Sequence, residues 1–236
     1  MFPGSFAAQH HGFNLKSDRA TLATSINRRS PMYGLINKAI HDFVLDQFDQ
    51  ATWDRITERA GIPGKVFEPM EQYPDAETYT LVASASDVLN MDPEDILSGF
   101  GHYWVIYTGI HGYGDLMKSS GSSFEEFVSN LDQLHTRVGL AFNDLKPPSF
   151  KIKREDVGTL LVTYTSERPG LVPLVEGLFH GLAERFGQSI EIEHLGPGQG
   201  EHDELFRITV LEEPDPDKAI DSVTAGCPFT PDAKTE

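Results

Sequence analysis

Four side chains in the C-terminal half of the sequence have types and spacing suited to holding a prosthetic group. His135 lies in the stretch Ser122 to Phe142, where Phe124, Phe127, Leu131, Leu134, Val138 and Phe142 recur at helical spacing and define one apolar face. His135 shares that face with Leu131 and Leu134. An imidazole there is either a buried histidine bonded to a carbonyl or an axial ligand, since a neutral imidazole in an apolar pocket can hold a haem iron. Further on, Tyr164, Ser166 and Arg168 alternate along a segment of strand-like sequence. If a strand continues through them, the three fall on one face and span about 13 Å. On their own they could be a solvated strand face. Combined with His135 they suit haem, whose iron needs a ligand and whose two propionates need donors, and arginine grips a carboxylate with a planar fork.

The elements that must position these residues can be read from the sequence. Ser122 and Ser123 with Glu125 and Glu126 place a capping box at the start of the His135 helix. Before it, Ile36, Ala39, Ile40, Phe43, Val44 and Phe48 predict an amphipathic helix, and Thr52 to Ala60 predicts a short second one. Asp75 is expected to cap a third, and Asp92-Pro93-Glu94-Asp95 opens a fourth that buries Ile96, Leu97, Phe100, Trp104 and Tyr107. Gly109, Gly112 and Gly114 break it. After Lys146-Pro147-Pro148 the period changes to two. Phe150–Lys153, Thr159–Tyr164, Ile190–His194 and Leu205–Leu211 are expected strands, with a helix through Leu171 to Leu182 between them. The fold class is therefore α+β, a helical first half followed by an antiparallel sheet with one or two helices. Residues 1–31 read as a mobile extension and 212–236 as an acidic flexible tail, leaving one domain over 32–211.

Composition narrows the function. The formal charge of −17 disfavours nucleic acid and anionic membranes as partners. Cys227 is the single cysteine, which rules out an intramolecular disulfide or a cysteine-held cluster and suits a cytoplasmic protein. No apolar run approaches the roughly 20 residues of a membrane helix. His10-His11, His111, His180, His194 and His202 show no paired ligand spacing. The loop Gly196–Gly200 lacks the Lys-Ser/Thr of a phosphate-binding loop.

The order of segments resembles the H-NOX domain, the gas-sensing haem module of bacteria and of the soluble guanylate cyclase β subunit. The resemblance runs from Met32 to about Leu211 through MYGLINKAI, TWDRI, YPDAETYTLVASASDVLN, FGHYWVIY, NLDQLH, PPSF and YTSERPGL. It implies haem b, with His135 as iron ligand and Tyr164, Ser166 and Arg168 holding the propionates. It also implies Pro148 pressing on the porphyrin, and Leu134 and Ile36 as neighbouring apolar contacts. Ile40, Trp104 and Leu174 match distal positions, with Pro173 as the other candidate for the last.

The distal side separates the gases. Bound O₂ gains from a hydrogen-bond donor, whereas NO and CO bind ferrous haem without one. Oxygen-binding members of the family supply a distal tyrosine from the helix after Tyr-x-Ser-x-Arg, and Pro169–Val175 contains none. The resemblance therefore implies a sensor, not an enzyme, that binds NO and CO. On this reading NO weakens the iron–His135 bond, the proximal helix shifts, and a separate effector responds, either a histidine kinase or a cyclic-di-GMP enzyme. An oxygen- or redox-responsive haem sensor, with Trp104 as donor, is the first alternative. A haem enzyme needs a distal acid–base pair, for which only His41 and His102 are near. A haem-free interaction domain that kept the fold is the third.

Overall fold

The structure, a computed structural model, describes residues 31–110, 113–142 and 144–211. The expected extension, apart from Pro31, and the expected tail with Cys227 lie outside the described residues, as do His10-His11 and His111.

The first half is helical. Strand β1 (Pro31–Tyr33) leads into α1 (Gly34–Gln47), α2 (Gln50–Ala60), β2 (Gln72–Pro74), α3 (Asp75–Leu89), α4 (Pro93–Ile110) and α5 (Gly114–Lys118). The three-residue strands β1 and β2 pair antiparallel, Met32 opposite Tyr73, and clip the start of α1 to the start of α3. Ala39, Ile40, Phe43 and Val44 on α1 meet Ile56 of α2, Leu81 of α3 and Phe100, Tyr103 and Tyr107 of α4 in one apolar core. This is the spacing that the sequence pattern required.

The second half begins with α6 (Phe124–Ser129) and α7 (Leu131–Gly139), followed by β3 (Ser149–Asp156), β4 (Thr159–Thr165), α8 (Val172–Arg185), β5 (Ile190–Pro197) and β6 (Asp203–Val210). The four long strands form one antiparallel sheet in the order β3-β4-β6-β5. Alternate residues Leu160, Val162 and Tyr164 of β4 face the core and join Phe150, Phe206 and Ile208. Phe124, Phe127, Val128 and Leu131 cover that face together with Phe179 of α8. The architecture is α+β, as expected.

Helices α4 and α8 cross with almost no space between their backbones. A Cβ on Gly101 would stand 2.2 Å from the Leu174 carbonyl oxygen, and one on Gly177 would stand 2.0 Å from that of Ser98. Glycine at both positions is what lets the two halves meet along this line.

Three expectations need correction. The stretch from Ser122 is two helices rather than one, because Asn130 leaves helical geometry at φ −101° and ψ 5° and its side chain donates to the Ser120 carbonyl at 2.9 Å. Asp75 does not cap α3; it is the first helical residue, Pro74 precedes it, and its carboxylate is turned to Arg168. Gly114 opens the short helix α5 instead of only breaking α4, which ends at Ile110.

Candidate cofactor site

The capping box of α6 forms as the sequence required. Ser123 Oγ accepts from the Glu126 N–H at 3.3 Å, and the Glu126 carboxylate accepts from the Ser122 N–H at 2.8 Å and its hydroxyl at 2.7 Å. Asp132, in the first turn of α7, fastens that helix to β3 by accepting from the Phe150 N–H at 2.8 Å and the Ser149 hydroxyl at 3.0 Å.

One turn later comes His135, whose Nδ1 is 3.0 Å from the carbonyl oxygen of Pro148. A carbonyl only accepts, so Nδ1 carries the proton and the lone pair is on Nε2. Burial lowers the pKa of this imidazole, against the opposing carbonyl bond and the charge of Asp132, so the ring is held neutral. The His135 ring stands 5.9 Å from Phe150, and the Phe150 ring stands 5.3 Å from Tyr164, its register partner on β4.

Tyr164 is buried and its hydroxyl is hydrogen-bonded to the Ser166 side chain; burial raises its pKa, while Ser166 and Arg168 pull the other way. The strand does not continue through the motif. Thr165 pairs with Ser149 and Asp203, the first residues of their strands, so no ladder remains for residue 166. A turn instead places the last two members. The Ser166 N–H donates to the His202 carbonyl at 3.1 Å, and Ser166 Oγ accepts from the Arg168 N–H at 3.1 Å. The Arg168 guanidinium donates through Nε to Asp75 at 3.0 Å and through Nη1 to the Lys146 carbonyl at 3.1 Å.

Arg168 also faces a cavity of about 490 Å³ between α1, α3, α4 and the start of α8. Ile36, Ile40, Leu97, Phe100, Leu171 and Leu174 give it a largely apolar wall, and Arg59 and Asp87 stand at another edge. The volume is within the usual range of a small-molecule or cofactor site. Of the expected contacts, Ile36, Ile40, Leu174 and Arg168 line this cavity. His135, Leu134, Pro148, Tyr164 and Ser166 lie off its wall, in a cluster that reaches it through Arg168. Leu134 is half-buried against the sheet-side core. Trp104 packs between Phe100 and Tyr107, behind the wall rather than on it.

Sequence reasoning missed two residues. Asp75 takes up Arg168, and its other oxygen is buried without a hydrogen-bond partner among the described residues. Tyr79 lines the cavity and donates to the Pro169 carbonyl at 2.9 Å. The helical spacing of Tyr79 with Leu81 and Val82 made it read as core, and an aspartate before a helix reads as a cap.

The donor set fits a haem. A neutral imidazole with its Nδ1 proton anchored leaves Nε2 for a metal, and such anchoring is what orients metal-bound histidines. A phenol and a hydroxyl joined by a hydrogen bond, with the Arg168 guanidinium two residues on, form a set of donors that suits two propionates. The described residues hold no group of three or more His, Cys, Asp or Glu that could bind a metal by itself, so an iron here would depend on a porphyrin for its other bonds.

A family model described as haem-NO-binding matches residues 33–194. The chain belongs to the haem-NO-binding, or H-NOX, family. It is 30% identical over 197 residues to soluble guanylate cyclase gcy-32 of Caenorhabditis elegans, covering 78% of this chain and 29% of that protein. With gcy-34 of the same organism it shares 28% over 215 residues, 85% of this chain and 31% of the cyclase. The chain thus spans about a third of the length of these relatives. An H-NOX protein from S. oneidensis in the Fe(II) state superposes with a TM-score of 0.70 at 22% identity, covering 78% of this chain and 98% of that one. An oxygen-binding H-NOX domain in its oxygen complex gives 0.66 at 19%, covering 78% and 96%. At these identities the solved structures show the fold alone. Membership makes this region a haem-binding gas-sensor domain, related to the haem domains of the guanylate cyclases and not itself a catalytic domain. No helix of the described residues is long and apolar enough to cross a membrane.

Proposed function

We propose that the H-NOX chain is a cytoplasmic sensor of NO, binding NO and CO at a ferrous haem b carried by the domain over residues 32–211. The anchored, neutral imidazole of His135 carries this reading, because its Pro148 bond uses Nδ1 and leaves Nε2 to act as a ligand. The iron, when bound, supplies the gas-binding position. The protein's part is to hold it through His135, to grip the propionates through Tyr164, Ser166 and Arg168, and to press on the ring with Pro148, with Leu134 and Ile36 as neighbouring apolar contacts. Ile40 and Leu174 keep the gas side apolar, and Trp104, matched by the family resemblance to a distal position, packs behind Phe100.

The selectivity for NO and CO over O₂ rests on Leu174. It lines the cavity at the start of α8 where a hydroxyl would serve a bound O₂, and it offers no donor. Tyr79, also on the wall, has its hydroxyl committed to Pro169.

Signalling follows from α7. A weakened hold of His135 on the iron would shift α7, and Asp132, which ties that helix to β3, would pass the shift to the surface the two share. A separate effector, a histidine kinase or a cyclic-di-GMP enzyme, would read that change through its different affinity for the two states. Absorption spectra of the reduced protein under argon, NO, CO and air test the reading. Stable NO and CO complexes without an oxy complex support it, and a stable oxy spectrum would move the function to oxygen sensing.

A further inference from the structure

Helices α6, α7 and α8 pack on one face of the four-stranded sheet, the face of Phe150, Val162 and Phe206. Side chains alternate across a strand, so Lys151, Lys153, Leu161, Leu205 and Arg207 stand on the other face, and none of them is buried. By register Lys151 is level with Leu205, and Lys153 is level with Leu161 and Arg207. Leu161 and Leu205 are diagonal neighbours that belong to neither apolar core. Arg207 is held by Glu155 at 3.0 Å and by Glu193 at 2.5 Å. Lys151 and Lys153 form no ion pair among the described residues, although Asp203 feels the charge of Lys151.

Basic charge is concentrated here in an acidic chain. From Lys146 to Arg154 there are four cations and no acid, in a protein whose formal charge is −17. Residues 212–236 carry seven acids against two lysines, and five of the acids fall between Glu212 and Asp221. A protein of this net charge repels such a segment over most of its surface, and Lys151 and Lys153 attract it. The described chain ends close by: the Val210 N–H donates to the Gly158 carbonyl of the β3–β4 turn at 2.8 Å, and the Leu211 N–H to the Ser189 carbonyl at 2.8 Å. On strand spacing and rise, Lys153 lies about 17 Å and Lys151 about 22 Å from Leu211, a span of about five to seven extended residues. Asp215, Asp217 and Asp221 fall in that range, with Ile220 and Val223 beside them. Pro214 and Pro216 lack an N–H, so the segment does not lengthen β6 as a ladder strand. Lysines on an edge strand also guard it against pairing. That accounts for the charge and leaves Leu161 and Leu205, further into the sheet, unexplained.

We propose that residues 212–236 of this chain dock on the outer face of the sheet, with their acids on Lys151 and Lys153 and their apolar residues over Leu161 and Leu205. The contact stands independently of the gas-sensing reading. Under that reading the segment covers the strand to which Asp132 fastens α7, so an effector that reads β3 has to displace it.

The test is nuclear magnetic resonance of the full, isotope-labelled chain carrying a nitroxide on Cys227, the single cysteine. Amide signals of Lys151, Lys153, Leu161 and Leu205 should lose intensity, and regain it when the nitroxide is reduced. The loss should fall sharply in about 1 M sodium chloride, where charge interactions are screened beyond about 3 Å. It should also vanish in the double variant Lys151→Glu with Lys153→Glu, and return when Asp215→Lys, Asp217→Lys and Asp221→Lys are added to it. Should the strand variant fail to fold, the three aspartate changes alone, on the native sheet, must abolish the loss. Loss spread evenly over the molecule, centred on another surface, or unchanged by these charge reversals overturns the contact. Loss seen only between a nitroxide-bearing chain and a separate isotope-labelled one overturns docking within the chain. None of these readings needs haem or gas, so failure here is told apart from failure of the sensor reading.

Discussion

Nδ1 of His135 lies 3.0 Å from the carbonyl oxygen of Pro148, thirteen residues away and directly before β3. A main-chain carbonyl cannot be removed by changing a side chain, so the tautomer of His135 is secured by the path of the backbone itself. That path is set by Lys146-Pro147-Pro148, whose prolines fix the turn into the sheet.

The first prediction concerns the ligand. His135→Gly should abolish the five-coordinate ferrous spectrum while leaving the fold intact, because Asp132 still holds α7 to β3 when the His135–Pro148 bond is lost. Added imidazole should restore haem binding in the vacated space. Absorption of the reduced variant with and without imidazole checks this, and a variant spectrum identical to the native one would remove His135 from the site.

Leu174→Tyr should place a phenolic donor on the cavity wall and allow a stable oxy complex in air. Visible spectra of the reduced variant under oxygen, compared with the native protein, decide the matter. A variant as indifferent to O₂ as the native chain would show that Leu174 does not face the bound gas.

The ion pair of Arg168 and Asp75 is mostly removed from water, with side-chain exposures of 13% and 9%. Removing the cation alone strands a buried carboxylate, so Arg168→Leu should cost about 3–5 kcal/mol at neutral pH. The double change Asp75→Asn with Arg168→Leu should recover much of that, since the stranded charge is gone. Urea unfolding of the three variants measures the cycle.

The same carboxylate sets a pH dependence. Desolvation raises the pKa of Asp75, with Arg168 only partly offsetting it. The folded protein therefore holds this proton more tightly than the unfolded chain does. The resulting contribution to stability is complete below about pH 4 and is lost as pH rises through the raised folded value. Asp75→Asn should accordingly gain on the native protein between pH 4 and pH 7, as read by denaturation midpoints at each pH.

The cap of α6 offers a smaller effect. Ser123→Ala removes the acceptor for the Glu126 N–H and should cost about 1 kcal/mol, with haem binding unchanged. Thermal melts of the two proteins give the difference.

The features set by local chemistry were legible in the sequence. The Ser123–Glu126 cap, the apolar spacing of α1 and the alternation of β4 all follow from neighbours within a few residues, and they appear where the pattern put them. What escaped depends on distant partners. The break at Asn130 is completed by Ser120, and the role of Asp75 by Arg168, 93 residues away. The pairing of β1 with β2 is too short to leave a period. The Tyr164, Ser166 and Arg168 motif was legible as a set of donors but not as a geometry, because a strand ends where its neighbours end. Cavity and histidine were likewise readable one by one, and their separation by the Arg168 turn was not.

The interruption at Asn130 separates two helices with different moorings. Helix α6 is anchored through the Phe124 N–H to the Gln188 side chain at 3.1 Å, on the far side of the sheet-side core. Helix α7 has nine residues and is fastened chiefly to β3. The segment bearing His135 is therefore a short helix with its own fastening, seated on the sheet-side core by Leu131 and Leu134. Any movement of it would pull on Ser149 and Phe150 as well as on that core, so the edge strand β3 becomes the dial on which its state is displayed.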